Sequence, residues 1–469
     1  MKRIYSILFI ALLLQACRIG KPYQQPELTL PGQLSNVSYA DTSSIADIEW
    51  KQFFTDTTLT GLISRGLEYN HDLLQAVKRM DIAALQLRQS RALNHPELDL
   101  LVTGAYNRPS SNSLNGISAK NFLGSSGIEN YQTMLRLSWE ADIWGKIRNQ
   151  KEAALAQYLG TYEGVKTVQT SLVAEIAQGY FNLLMLDQQL RITRRSLQLM
   201  DSFSVATRLL KDAGLATELA VEQAEAQRRA AEGSLPQIEG AIALQESNLQ
   251  LLTGQLPGKL SRSEMLSGRT FPAQLPTGLP AALVSRRPDV RARELDLVAA
   301  HARTGIARAN LYPALTLTAG TGLESFTSGN WWSVPGSLFG LAAGTIAQPL
   351  LKRRALKTAV AVSEAEREAS VIAFRQSVLQ AVTEVHNAQV RLEALKQQET
   401  HLTARAATLQ SAVRNAQLLF KSDMANYLEV LTAQGNALQA QLELSQLQRG
   451  QWGAVIELYR ALGGGWKAN

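Results

Sequence analysis

Cysteine is all but missing from this chain: Cys17 is the only one in 469 residues. A single thiol closes no disulfide within the chain and builds no cysteine metal site, which needs several thiolates at close spacing. Histidine is nearly as scarce. The five, His71, His95, His301, His386 and His401, include no pair four residues apart and have no accompanying cysteine, so the usual zinc patterns are excluded. Six methionines follow residue 16 and are dispersed, which gives no copper-like cluster. No glycine-rich phosphate loop follows a strand-like run, and Gly463-Gly464-Gly465 reads as a helix stop. After Ala16 there is no apolar run of 18 residues or more, so helical membrane spans are excluded, and a crossing of the bilayer requires a closed β-barrel. The net charge of +7 falls to +5 without Lys2 and Arg3, and no basic block marks a nucleic-acid stripe.

What is present begins at the N-terminus. Lys2 and Arg3 precede the apolar segment Ile4 to Leu14, and Gln15-Ala16 place a small residue directly before Cys17. That is the layout of a secretory signal, too short for a retained membrane helix. Leu13-Leu14-Gln15-Ala16-Cys17 resembles the bacterial lipobox, in which cleavage before the cysteine is coupled to its acylation. Residues 1–16 are therefore expected to be a signal peptide and Cys17 a lipidation site. Arg18, rather than aspartate, follows it, which resembles lipoproteins sent to the outer membrane. Lipid on Cys17 is the one covalent addition expected; no cofactor is.

Residues 17–58 read as a lipidated tether rich in Pro, Gln, Ser and Thr. Beyond them, two long tracts without internal proline dominate, Lys146 to Lys211 and Lys352 to Lys421. At about 1.5 Å per residue each would extend roughly 100 Å as one helix. Val165, Val168, Leu172, Ile176, Gly179, Leu183, Leu186, Leu190, Thr193, Leu197 and Met200 alternate steps of three and four with one stutter, the mark of a coiled-coil seam rather than a broad globular face. Shorter helices are expected at His71 to Leu93, at Glu218 to Thr253 with breaks at Gly233 and Pro236, and at Asn426 to Leu462.

The chain repeats itself. "RALNHPELDL" from Arg91 answers "RANLYPALTL" from Arg308, with Pro96 and Pro313 217 positions apart, and "GLATELAVEQAEAQ" from Gly214 answers "SDMANYLEVLTAQGNA" from Ser422 at an offset of about 209. A duplicated unit follows: a first repeat over 59–254, a linker over 255–287, a second repeat over 288–462 and a tail over 463–469. After each proline the pattern turns strand-like. Tyr131, Thr133, Leu135, Leu137, Trp139, Ala141 and Ile143 alternate with Gln132, Met134, Arg136, Ser138, Glu140 and Asp142. One face is apolar with aromatics, as on a barrel strand with lipid outside and water inside; a half-buried strand of a soluble sandwich alternates in the same way. Strands are expected at 98–106, 131–143, 315–322 and 338–347, with polar loops at Asn107 to Asn130 and Glu324 to Pro335. Four strands cannot close a barrel, and eight leave an interior filled by side chains, so a conducting pore needs three chains or more.

"LVSRRPDVRARELDLVAAHARTGIARANLYPALTL" from Leu283, "LRLSWEADIWGKIRNQ" from Leu135, "GYFNLL" from Gly179, "ANYLEVLTAQ" from Ala425 and "LYRALGGGW" from Leu458 resemble the TolC-like outer-membrane efflux proteins, in particular the lipoprotein branch typified by OprM and NodT. Arg293 stands where alanine is usual, and the tether lacks the expected Gly-Pro-Asp before its tyrosine. The resemblance implies an α+β membrane protein: a homotrimer with four strands per chain in a 12-stranded β-barrel, continued by a long periplasmic α-helical barrel. It further implies the exit duct of a tripartite efflux pump, partnered by a periplasmic adaptor and an inner-membrane transporter of RND type. The helix-start signature Arg286, Arg287, Pro288, Asp289 and Glu294 is then positional rather than catalytic. Pro288 suits a first helical turn, the acids suit the positive helix end, and the arginines can pair with them or with a neighbouring chain. The turns near Asp212 and Asp423 would form the closed periplasmic end. Asp423 is the candidate gate acid, with Glu429 and Asp212 behind it and Lys211, Arg208, Arg414 and Lys421 as partners in the closed state.

An enzyme is disfavoured by the missing metal and phosphate motifs. A lipid-anchored coiled-coil scaffold leaves the alternating strands unexplained. A type I secretion outlet for polypeptides is the alternative closest to small-molecule efflux.

Overall fold

The computed structural model describes residues 22–27, 44–262 and 286–466. Cys17, the signal segment, much of the tether and linker, and the end of the tail lie outside the described residues. The elements, in order, are α1 (Trp50–Phe53), α2 (Thr57–Tyr69), α3 (His71–Ala92), β1 (Glu97–Asn107), α4 (Leu114–Leu123), β2 (Ile128–Ala141), α5 (Lys146–Asp212), α6 (Glu218–Leu252), α7 (Pro288–Ala309), β3 (Ala314–Ser325), β4 (Leu338–Ala347), α8 (Arg353–Lys421) and α9 (Tyr427–Ala461), with short 3-10 turns at Ile45–Asp47 and Ser328–Asn330. The chain forms two compact units. Of the described residues, one holds 22–26, Asp81–Gly160 and Glu294–Ala373; the other holds 27, 44–80, 161–262, 286–293 and 374–466.

In the first unit the strands make one antiparallel meander in the order β1-β2-β3-β4. Leu98 pairs with Leu137 and Leu100 with Leu135; Leu137 in turn pairs with Ala319, and Leu317 with Gly344. Because side chains alternate, this register gathers Leu98, Leu100, Leu135, Leu137, Leu317 and Ile346 on one face. β2 stops at Ala141 because Asp142 is drawn into capping the next helix. Its two carboxylate oxygens accept from Ile147 N (2.8 Å) and Arg148 N (2.9 Å) at the start of α5. The corner is held by Trp144, whose Nε1 donates to the Pro313 carbonyl (2.7 Å) and whose ring stacks on Tyr312.

The second unit has an aromatic and aliphatic core in which Ile176, Tyr180, Leu183, Leu249, Ile456 and Leu458 are fully buried. The "GYFNLL" stretch explains itself here. Tyr180 Oη donates to Asp56 Oδ2 (2.6 Å) while Asp56 Oδ1 caps α2 through Thr58 N and Leu59 N, and Phe181 stacks on Trp452 with centroids 4.4 Å apart.

Three expectations are corrected. Every residue of the seam along α5 is buried or half-buried, yet Val173, Ala174, Ala177, Tyr180, Phe181 and Leu184 are buried too. This stretch is therefore covered on more than one side, a core helix rather than a single-seam coil. α6 does not break: Pro236 lies inside one 35-residue helix. Proline there forfeits one hydrogen bond and crowds one carbonyl, and packing through buried Ala224, Ala231 and Leu249 outweighs that local cost. The stretch Asn107 to Asn130 is not all loop, for α4 forms inside it, capped by Ser113 Oγ accepting from Gly116 N (3.1 Å) and ended by Gly124 at φ 65°.

Candidate functional site: helix-start signature, hairpin turns and sheet faces

Pro288 is the first residue of α7, as its missing N–H and fixed φ favour. Arg287, just before it, is 4% exposed at its side chain. Its guanidinium makes a two-pronged pair with Asp289 (Nε to Oδ1 3.0 Å, Nη2 to Oδ2 2.6 Å), and Nη1 donates to Glu384 Oε2 (2.8 Å) and to the Ala461 carbonyl (3.1 Å). Burial works against the charge on Arg287, but Asp289 and Glu384 outweigh it and raise its pKa. Burial likewise pushes Asp289 up, and the Arg287 bonds with the backbone N–H groups win, leaving it below the usual carboxylate range. Glu384 also accepts from Arg460 Nη2 (3.2 Å), and Arg460 pairs with Glu457. Arg286 pairs with Asp47 (2.9 Å). Thus Arg287 and Asp289 meet, while Arg286 finds a different acid. Glu294 is buried further along α7. Glu384, Glu457, Arg460 and Asp47 were not singled out in the sequence; only Arg460 sits in a flagged stretch, "LYRALGGGW". Gly463 after α9 has φ +90°, and a Cβ there would come 2.8 Å from the Arg286 carbonyl oxygen, which is why a glycine closes that stretch.

The two hairpin turns follow one plan. After α5, Gly214 N donates to Lys211 O (2.8 Å) and Leu215 N to Leu210 O (2.8 Å); after α8, Asp423 N donates to Phe420 O (3.3 Å) and Met424 N to Leu419 O (2.9 Å). Both are left-handed helix ends in which the backbone itself satisfies the last carbonyls. Gly214 takes φ 76° and Asp423 φ 58°, so Asp423 holds a conformation that glycine holds in the other repeat. Thr217 then caps α6 (Ala220 N to Oγ1, 3.2 Å) and Asn426 caps α9 (Glu429 N to Oδ1, 3.1 Å). Asp212, Asp423 and Glu429 are all exposed. Within the chain three of the four cations expected beside them have other partners: Lys211 pairs with Glu218, Arg208 with Glu225 (3.2 Å), and Arg414 donates to Ser411 Oγ (2.7 Å).

The sheet supplies the third feature. Leu98 and Leu100 are each 65% exposed and Ile346 72%, an apolar face left uncovered by the described residues. The opposite face carries the Arg136–Asp99 ion pair (2.9 Å) with Thr316, Thr318 and Gln132. β1 and β4 each pair on one side only among the described residues. A four-stranded meander that is apolar outside, polar inside and open at both edges defines a class of protein: a β-barrel channel completed only by further copies of the chain.

The comparisons specify that class. The family model "Outer membrane efflux protein" matches residues 62–255 and 279–464, and the chain belongs to this family. The cation efflux system protein CusC of Escherichia coli O6:H1 is 30% identical over 473 residues, 98% of each chain. SilC of Salmonella typhimurium, a probable outer membrane lipoprotein, is 29% identical over 475 residues, 99% of each chain. Among solved structures, the outer-membrane channel OprN superposes with a TM-score of 0.86 at 26% identity, over 96% of this chain and 100% of that one. The protein is an outer-membrane efflux channel. Three copies contribute four strands each to a 12-stranded barrel joined to a helical barrel, and the trimer works with a periplasmic adaptor and an inner-membrane transporter.

Proposed function

We propose that the trimer is a passive exit duct for small solutes, serving an RND-type transporter, and that it performs no covalent chemistry on what it passes. The open-edged sheet with opposite apolar and polar faces carries this reading, since its completion by two further copies yields a water-lined bore. CusC is named for cation efflux, and cations belong within the solute class proposed here. The test is reconstitution of the purified protein in planar bilayers: a trimer by mass that passes ions in steps supports the duct, and a stable monomer without conductance defeats it.

Two sites complete the proposal. Cys17 carries the lipid, so mass spectrometry of the mature N-terminus should show an acylated cysteine that Cys17→Ser abolishes; an unmodified Cys17 in the native protein rejects the anchor. Asp423, with Asp212 and Glu429 as subsidiary acids, lines the closed periplasmic end. Three copies of a carboxylate around one axis repel one another, so closure needs cations or basic partners beside them. An adaptor that favours separated turns shifts the duct towards open. Replacing Asp423 should change conductance or its block by divalent cations; unchanged behaviour would leave Asp423 as a turn residue alone.

A further inference from the structure

Barrel closure sets a like-charge problem at the periplasmic rim. β1 begins and β4 ends on that side, and β4 has to pair antiparallel with β1 of the next copy, which brings the end of β4, at Ala347, to the same rim as the start of β1, at Glu97, of its neighbour. Counted from those two residues, the helices that leave the sheet can be matched. Ile82 lies 15 residues before Glu97 and Val362 15 after Ala347, and both are apolar and exposed in the single chain, at 55% and 51%. Arg91 and Arg88 on α3 lie six and nine residues before Glu97, and Arg354 and Lys357 on α8 lie seven and ten residues after Ala347, with Lys352 and Arg353 nearer the sheet. All six are exposed, and none pairs with a carboxylate of its own chain among the described residues; the neighbour brings a single exposed carboxylate, Glu97, to the start of its β1. Three of them occupy the first turns of α8, which have no acidic residue, although a helix N-terminus disfavours positive charge. The apolar side chains beside them have no cover: Leu350 is 78% and Leu351 100% exposed.

We propose that each of the three subunit boundaries at this rim binds the headgroup of an anionic phospholipid from the periplasmic leaflet, with Leu350 and Leu351 against its acyl chains. The inference rests on the trimeric barrel. The phosphate supplies the negative charge that these arginines, lysines and the α8 N-terminus lack. The strand ends put the cluster at headgroup depth, where Trp139, Trp144 and Tyr312 also sit at the strand-to-helix corners, as interfacial aromatics do.

The test uses delipidated trimer titrated with phosphatidylglycerol or with phosphatidylcholine of the same chains, with bound lipid counted by native mass spectrometry. Phosphatidylglycerol should fill three sites preferentially. The triple variant Arg91→Gln, Arg354→Gln, Lys357→Gln should lose on the order of a hundredfold in affinity, roughly fivefold per charge, while Lys396→Gln further along α8 should lose nothing. Equal binding of the two lipids by intact trimer, or an unchanged preference in the triple variant, overturns the proposal. Should the triple variant not assemble, Arg354→Gln alone must show its fivefold loss, and an unchanged affinity is equally fatal. A wild-type chain that never trimerises would instead defeat the channel reading.

Discussion

The core around Tyr180 and the sheet around Leu137 use the same apolar residue types to opposite ends. At the first, Ile176, Leu183 and Ile456 are wholly enclosed by their own chain, and the buried charge of Arg287 is paired with Asp289 and Glu384. At the second, leucines stand 40–65% exposed at positions 98, 100 and 137, and the polar groups sit on the reverse face. Burial at the core is completed by the fold, whereas burial at the sheet is completed by lipid and by neighbouring copies. The difference predicts where substitutions act on the single chain and where they act on assembly.

The largest effect is expected at the core. Arg287→Ala leaves Asp289 without its guanidinium, leaves Glu384 to Arg460 alone and removes the donor to Ala461, and breaking such a buried pair costs about 3–5 kcal/mol. Chemical unfolding of the detergent-solubilised protein should show this loss, and a loss below about 1 kcal/mol would mean the cluster is solvated after all. At the sheet, Val102→Arg, in the middle of β1 on the face of Leu98 and Leu100, should cost about 2–4 kcal/mol in lipid, while Thr103→Arg, one residue along and on the other face, should cost far less. Equal costs would break the comparison, because they would deny the two faces different solvents.

The hairpin turns give a smaller effect. Asp423→Val must place a β-branched residue in a left-handed conformation and should lose roughly 1–2 kcal/mol. Asp423→Gly relieves that strain but loosens the unfolded chain, so its stability should stay within about 0.5 kcal/mol. Both remove the charge: if Asp423→Gly alters divalent-cation block at unchanged stability, the carboxylate acts at the gate, and if only Asp423→Val has an effect, backbone shape was its whole role. The smallest effect concerns pH. Asp289 is held below its usual range, so its contribution is present above an unfolded value of about 3.9 and is lost as pH falls through the lower folded value. Asp289→Asn should flatten the acid limb of the unfolding curve, and a variant with an unaltered acid limb would show that Arg287 relies on Glu384 alone. The effect is small because the Asp289 side chain is 39% exposed and so partly screened.

Much of this was legible beforehand because it is local. The period of two from Tyr131 to Ala141 marks β2, the offset of 209 residues makes Gly214 and Asp423 equivalent turns, and the helix expected from Glu218 begins at that residue. α4 escaped notice because its ten residues show little amphipathic pattern within a stretch rich in Ser, Asn and Gly. In the signature, the residue types pointed to a helix start, but Arg287 had several acids within reach on paper.

The sequence by itself determined most of the elements, α4 and the continuity of α6 apart, with the duplication and the two faces of β2, since backbone sterics and alternation act over a few neighbouring residues. Only the tertiary structure decided that Glu384, 97 residues away, pairs with Arg287, that Arg286 goes to Asp47 and that α5 is covered on several sides. The reason is physical: a carboxylate's partner is set by which helices converge on it, and a proline such as Pro236 breaks a helix only where packing along that helix is weaker than the one hydrogen bond it removes.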